Sequence, residues 1–75
     1  MITLREMRLR RMLTQKELAE QVGVTYQSIQ GWESGQNLPR PAAMRRLCEV
    51  LQVDPGELYD ALQAGIAEGK MLAAA

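Results

Sequence analysis

Tyr26, Gln27, Gln30 and Gly31 would point away from the apolar pair Ile29 and Trp32 if the segment holding them is helical. That outward set carries two side-chain amides and a phenol and no long charge. An amide donates and accepts at once, which is what the adenine edge in the major groove of double-stranded DNA requires. A bidentate amide–adenine pair is worth about 1–3 kcal/mol of discrimination, and Gln27 is the best placed to make one. Trp32, on the Ile29 stripe, reads as core.

Catalytic chemistry finds no comparable support. The chain has no histidine, no cysteine pair, no glycine-rich phosphate loop, and no carboxylate pair whose burial the pattern argues for. Cys48, the single cysteine, falls on an apolar stripe and reads as a small hydrophobe. No enzyme activity, metal, cofactor or small-molecule site is expected.

The reading residues need a scaffold, and residues 14–35 spell one. Thr14 and Glu17 have the spacing of a capping box, with Leu13 and Leu18 as its hydrophobic staple. Leu18, Ala19 and Val22 then form one buried face, and Gly23 ends the helix. After Val24 alone, Thr25 opens a second helix from about Tyr26 to Ser34, with Val24 and Ile29 repeating the staple. So short a gap forces a steep crossing, giving a helix-turn-helix.

These residues resemble a known family. Gln15, Leu18, Ala19, Val22, Gly23, Val24, Ile29, Trp32, Glu33, Gly35 and Pro39 match the DNA-binding domain of phage Cro proteins and repressors and of xenobiotic-response-element-like bacterial regulators, over about Leu4 to Leu62. The resemblance implies an all-α, compact five-helix, lambda-repressor-like domain with the helix-turn-helix at helices 2 and 3. It implies that the first, second and sixth residues of the recognition helix, Tyr26, Gln27 and Gly31, touch base edges. Tyr26 either stacks on a thymine methyl, reaches a phosphate, or packs back on the domain. At Gly31 either the backbone approaches the groove closely or recognition relies on Gln30. The resemblance also implies a largely buried ion pair between Arg8 and Glu33, the alternative being a solvated Arg8. Met12 departs from the family, where glycine is frequent. If that position needs positive φ, methionine pays about 1 kcal/mol.

Elsewhere the pattern predicts a first helix over residues 3–12, a fourth over about 41–52 with Pro41 at its first position, and a fifth after Asp54-Pro-Gly-Glu57, a further capping box. Met44, Leu47, Cys48 and Leu51 make the stripe of the fourth. The 75 residues have a formal net charge of zero, but the charges are segregated. Residues 1–16 and 40–46 hold Arg5, Arg8, Arg10, Arg11, Lys16, Arg40, Arg45 and Arg46 against Glu6 alone, so one side should be basic. Phosphate contacts position a protein without specifying sequence. Gln15 at a helix N-terminus, Asn37 and Arg40 on the loop after the recognition helix, then Lys16 and Arg10, are the candidates, with Thr25 and Ser28 flanking the base readers. For each basic residue a solvated surface charge is the alternative.

Apolar content of 47% with 4% aromatics suits a helical core of Leu, Met, Val and Ala. No apolar run is long enough for a membrane span, no leader is evident, and a reducing cytoplasm is the simplest home. Residues 1–64 read as the DNA-binding domain and 65–75 as a tail. Leu58, Leu62 and Ile66 lie four apart; a five-helix core needs Leu58, Leu62 is open to either use, and this end of the chain either seats a homodimer through the three or frays. The expected function is a repressor or autoregulator bound to a near-palindromic operator. The alternative is a protein-interaction module, an antitoxin or adaptor, on the same fold.

Overall fold

Three of the four interhelical connections carry an apolar residue just ahead of a helix cap, and each is tied to the same core. Leu13, Val24 and Val53 all pack against the central cluster in the computed structural model, which describes residues 2–74, with side chains through Ala67. The helices they lead into are α2 (Gln15–Val22), α3 (Tyr26–Ser34) and α5 (Pro55–Ala74), with α1 (Leu4–Arg10) before them and α4 (Pro41–Leu51) between α3 and α5. The fold is all-α and lambda-repressor-like.

The caps explain the boundaries. Thr3 and Thr25 accept from the N–H of the third residue of α1 and α3, and Thr14 makes both halves of its box with Glu17. Glu57 N–H donates to Asp54 Oδ1 at 2.8 Å, the forward half of the box expected there. Gly23 and Gly35 end α2 and α3 at φ 80° and 82°. Two non-glycine residues do the same work: Met12 at φ 57° after α1 and Gln52 at φ 55° after α4. Position 12 does require positive φ, so methionine bears the strain.

Leu4, Met7, Leu18, Ile29, Trp32, Leu47 and Leu51 fill the core. Leu58 and Leu62 join them at 0% and 1% exposure, so of their two expected uses, core and dimer interface, both serve the domain's own interior. The reason is α3. Its buried face needs cover at the C-terminal end, and α5 supplies it, packing on α3 as well as on α1 and α4. The approach is close. A Cβ at Gly35 would lie 2.8 Å from Ile66 Cα and 2.9 Å from the Gly65 carbonyl oxygen. The α5 helix therefore continues through the boundary expected at residue 65, with Gly65 buried against the end of α3. The side chains of Met71 and Leu72, and Ala75, lie outside the described residues.

Candidate nucleic-acid interface

The two ends of the helix-turn-helix are locked by one carboxylate. Arg8, buried on α1, donates from Nε to Glu33 Oε2 at 2.7 Å and from Nη2 to Oε1 at 3.2 Å, and its Nη1 bonds the Leu13 carbonyl at 2.8 Å. Charge-assisted forks of this kind fix orientation as well as energy. Glu33 Oε1 also accepts from Gln15 Nε2 at 3.2 Å, so the first residue of α2 is held by the last turn of α3. Gln15 keeps its second amide N–H free as a donor, at a helix N-terminus where the dipole favours anions. One buried pair thus fixes the N-terminal end of α2.

On α3, Gln27 and Gln30 are exposed and Tyr26 is half-buried. The Lys16 ammonium sits 5.7 Å from the Tyr26 ring centroid, within the range of a cation–π contact. Tyr26 therefore faces α2's first turn and carries Lys16 with it. At about 100° per residue, Tyr26 and Ser28 border opposite sides of the strip that Gln27 and Gln30 occupy. Thr25 caps α3 through Ser28 N–H at 3.1 Å, and its hydroxyl also pairs with Ser28 Oγ at 2.9 Å. Among the described residues no hydrogen bond engages the amides of Gln27, Gln30 or Asn37.

The far border is a groove in which Ser28, Asn37, Leu38 and Arg40 come together over Trp32 and Val24. Of the expected phosphate contacts, Ser28, Asn37 and Arg40 share this flank, while Gln15 and Lys16 share the other with Tyr26. Arg10 belongs to neither. It lines a separate groove with Ile2, Arg11, Leu51, Glu57 and Asp60, none of them on α2 or α3, and so lies apart from both flanks.

Gly31 needs a correction. It lies one turn beyond Gln27 on the same face, yet it is buried. A Cβ there would come 2.7 Å from Asn37 Nδ2. The loop folds back over the glycine, so its backbone is not open to a base. The Gly31 carbonyl holds the loop down, accepting from Gln36 N–H at 2.9 Å, Asn37 N–H at 3.2 Å and Ser34 Oγ at 3.2 Å, besides the Gly35 cap.

Leu38, an exposed apolar residue on that loop, drew no notice from periodicity because loops have none. The one signal was its type: a leucine between polar residues and a proline. The Cys48 thiol is pushed up by burial, with Asp54 and Glu49 adding to the shift, and so stays protonated. Thr14 holds the Glu17 carboxyl below its ordinary value, mainly through the Thr14 backbone N–H and secondarily through its hydroxyl. Among the described residues no helix is long and apolar enough to cross a membrane.

The sequence model of the helix-turn-helix family matches residues 4–58, from the first residue of α1 to the first turn of α5. The chain matches no curated protein and no solved structure.

Proposed function

This chain belongs to the Cro/repressor-type helix-turn-helix family of DNA-binding transcription regulators, and from that premise we propose that it is a sequence-specific repressor or autoregulator. The observation that carries the reading is the amide face of α3, unpartnered among the described residues, with Gln27 and Gln30 exposed between the Gln15–Lys16–Tyr26 flank and the Ser28–Arg40 flank. Amides in the middle read base edges; donors and cations on both sides grip phosphates. Occupancy of an operator blocks polymerase without any further surface.

The operator is near-palindromic and the protein binds it as a homodimer, with one α3 in each of two major grooves about 34 Å apart. Leu58 and Leu62 do not make that dimer. Tyr59, 53% exposed, and half-buried Ile66 are seven apart on α5 and lie on one face, an apolar surface available for a two-fold contact. The cytoplasm, where such an operator is found, is its place of action. Selection from a random DNA pool tests the reading: a symmetric enriched motif supports it, and no enrichment points instead to a protein-interaction module.

A further inference from the structure

We infer that Asn37, delivered from the loop after α3, reads a base edge in the position that a side chain at residue 31 would otherwise occupy. The inference rests on the operator-binding reading above and extends it. Three observations meet at this point. Gly31 is on the same face as Gln27, one turn further along, so a side chain there would enter the groove beside Gln27. No side chain exists, and what covers the glycine is the Asn37 amide, whose Nδ2 stands 2.7 Å from where a Cβ would be. The Asn37 backbone is tethered to the same residue, its N–H donating to the Gly31 carbonyl at 3.2 Å beside that of Gln36 at 2.9 Å.

A glycine inside a helix lowers stability with no local return. Here the return is room. Gly31 touches no base and acts as a positioning residue: its missing Cβ lets the loop lie flat and sets the Asn37 amide at a fixed height on the reading face. Asparagine, like glutamine, matches adenine N6 and N7 with one donor and one acceptor. A helical turn rises about 5.4 Å and a base step about 3.4 Å, so Asn37 addresses a base pair next to the one Gln27 reads, or one beyond it. Ser28 and Arg40, in the same groove, take the adjoining phosphates. Specificity is then divided between a helix and a loop.

The test uses the operator that the full chain selects from random DNA, together with every single-base-pair variant of it. Asn37→Ala should lose discrimination at one base pair per half-site, distinct from that lost in Gln27→Ala, by roughly 5- to 150-fold. Gly31→Ala should lose discrimination at the same base pair as Asn37→Ala, because its methyl pushes the amide aside. Its melting temperature should hold or rise, since alanine favours the helix and the displaced atom is the tip of a side chain. The double variant should be no worse than either single one. A uniform loss of affinity across all variants of the operator in Asn37→Ala, with a shallower salt dependence, would make Asn37 a phosphate contact and overturn the inference. So would a Gly31→Ala protein that retains all discrimination. A wild-type chain that enriches no motif would overturn the operator reading and this inference together, whereas an enriched motif read unchanged by Asn37→Ala would overturn this inference alone.

Discussion

Arg8 and Glu33, 25 residues apart, form a buried two-bond fork that joins α1 to the end of the recognition helix. Removing one partner of such a pair strands the other charge, at a cost of about 3–5 kcal/mol. A chain of this length has roughly 4–11 kcal/mol in total. Glu33→Ala should therefore take about a quarter or more of the stability in urea unfolding, and it should also weaken DNA binding by releasing Gln15. The double variant Arg8→Met, Glu33→Leu should be more stable than either single charge removal, since no charge is left unpaired. An unchanged melting temperature in Glu33→Ala would contradict the ion pair.

The contact between α3 and α5 predicts opposite outcomes for its two glycines. Gly35→Ala meets both a positive φ and the α5 backbone below 3 Å, and should cost more than about 2 kcal/mol. Gly23→Ala has the same backbone conformation with nothing within 4 Å, and should pay only the left-handed strain of about 1–2 kcal/mol. At Gly65 the nearest atom to an added Cβ is the Glu33 carbonyl oxygen at 3.5 Å, an ordinary contact. Gly65→Ala should be neutral or stabilise by up to about 1 kcal/mol. Thermal unfolding of the three variants ranks them.

Met12, 88% exposed at φ 57°, buries little and pays for its conformation. Met12→Gly should raise stability by about 1 kcal/mol, the strain relieved less the entropy that glycine adds to the unfolded chain. Met12→Ala should gain nothing, because alanine keeps the Cβ. Equal stability of the glycine and alanine variants would show that the position is not strained.

The Thr14–Glu17 box predicts a pH dependence. Its carboxyl is held below the ordinary value of 4.5, so the folded state binds the proton less readily than the unfolded state does. The box therefore contributes its full stability above pH 4.5 and loses it as pH falls through the lower folded value. The difference in melting temperature between wild type and Glu17→Gln should be constant from neutral pH down to about 5 and shrink below 4. A difference that grows on acidification would contradict that sign.

Much of the fold was legible because its signals are local. Thr14 with Glu17, Gly23, Thr25 and the staple residues Leu13 and Val24 each act within a few residues, and each is found where spacing put it. The misplacements all involve distant partners. The spacing of Leu58 and Leu62 says that a face is buried but not against what, and the answer is the domain's shared core, since α5 packs on α1, α3 and α4. Gly31 has the period of an exposed position, and only the return of the loop at Asn37 buries it. Arg10 shares a basic segment with Arg8, yet Arg8 is buried on Glu33 while Arg10 lines a groove that includes no residue of α2 or α3. Gln15, singled out at a helix start, proved to be tied to Glu33, a bond that neither sequence neighbourhood announces.

The central claim is sequence-specific reading by the amide face of α3. Its most direct test is the affinity of wild type and Gln27→Ala for the selected operator against scrambled DNA, over a salt series, alongside their melting temperatures. The wild type should prefer the operator by at least about a thousandfold, with a salt slope that counts its phosphate contacts. Gln27→Ala should lose roughly 5- to 150-fold of that preference at unchanged stability. Weak, salt-sensitive binding with no preference in the wild type, or a parallel loss of stability and affinity in Gln27→Ala, would contradict the account.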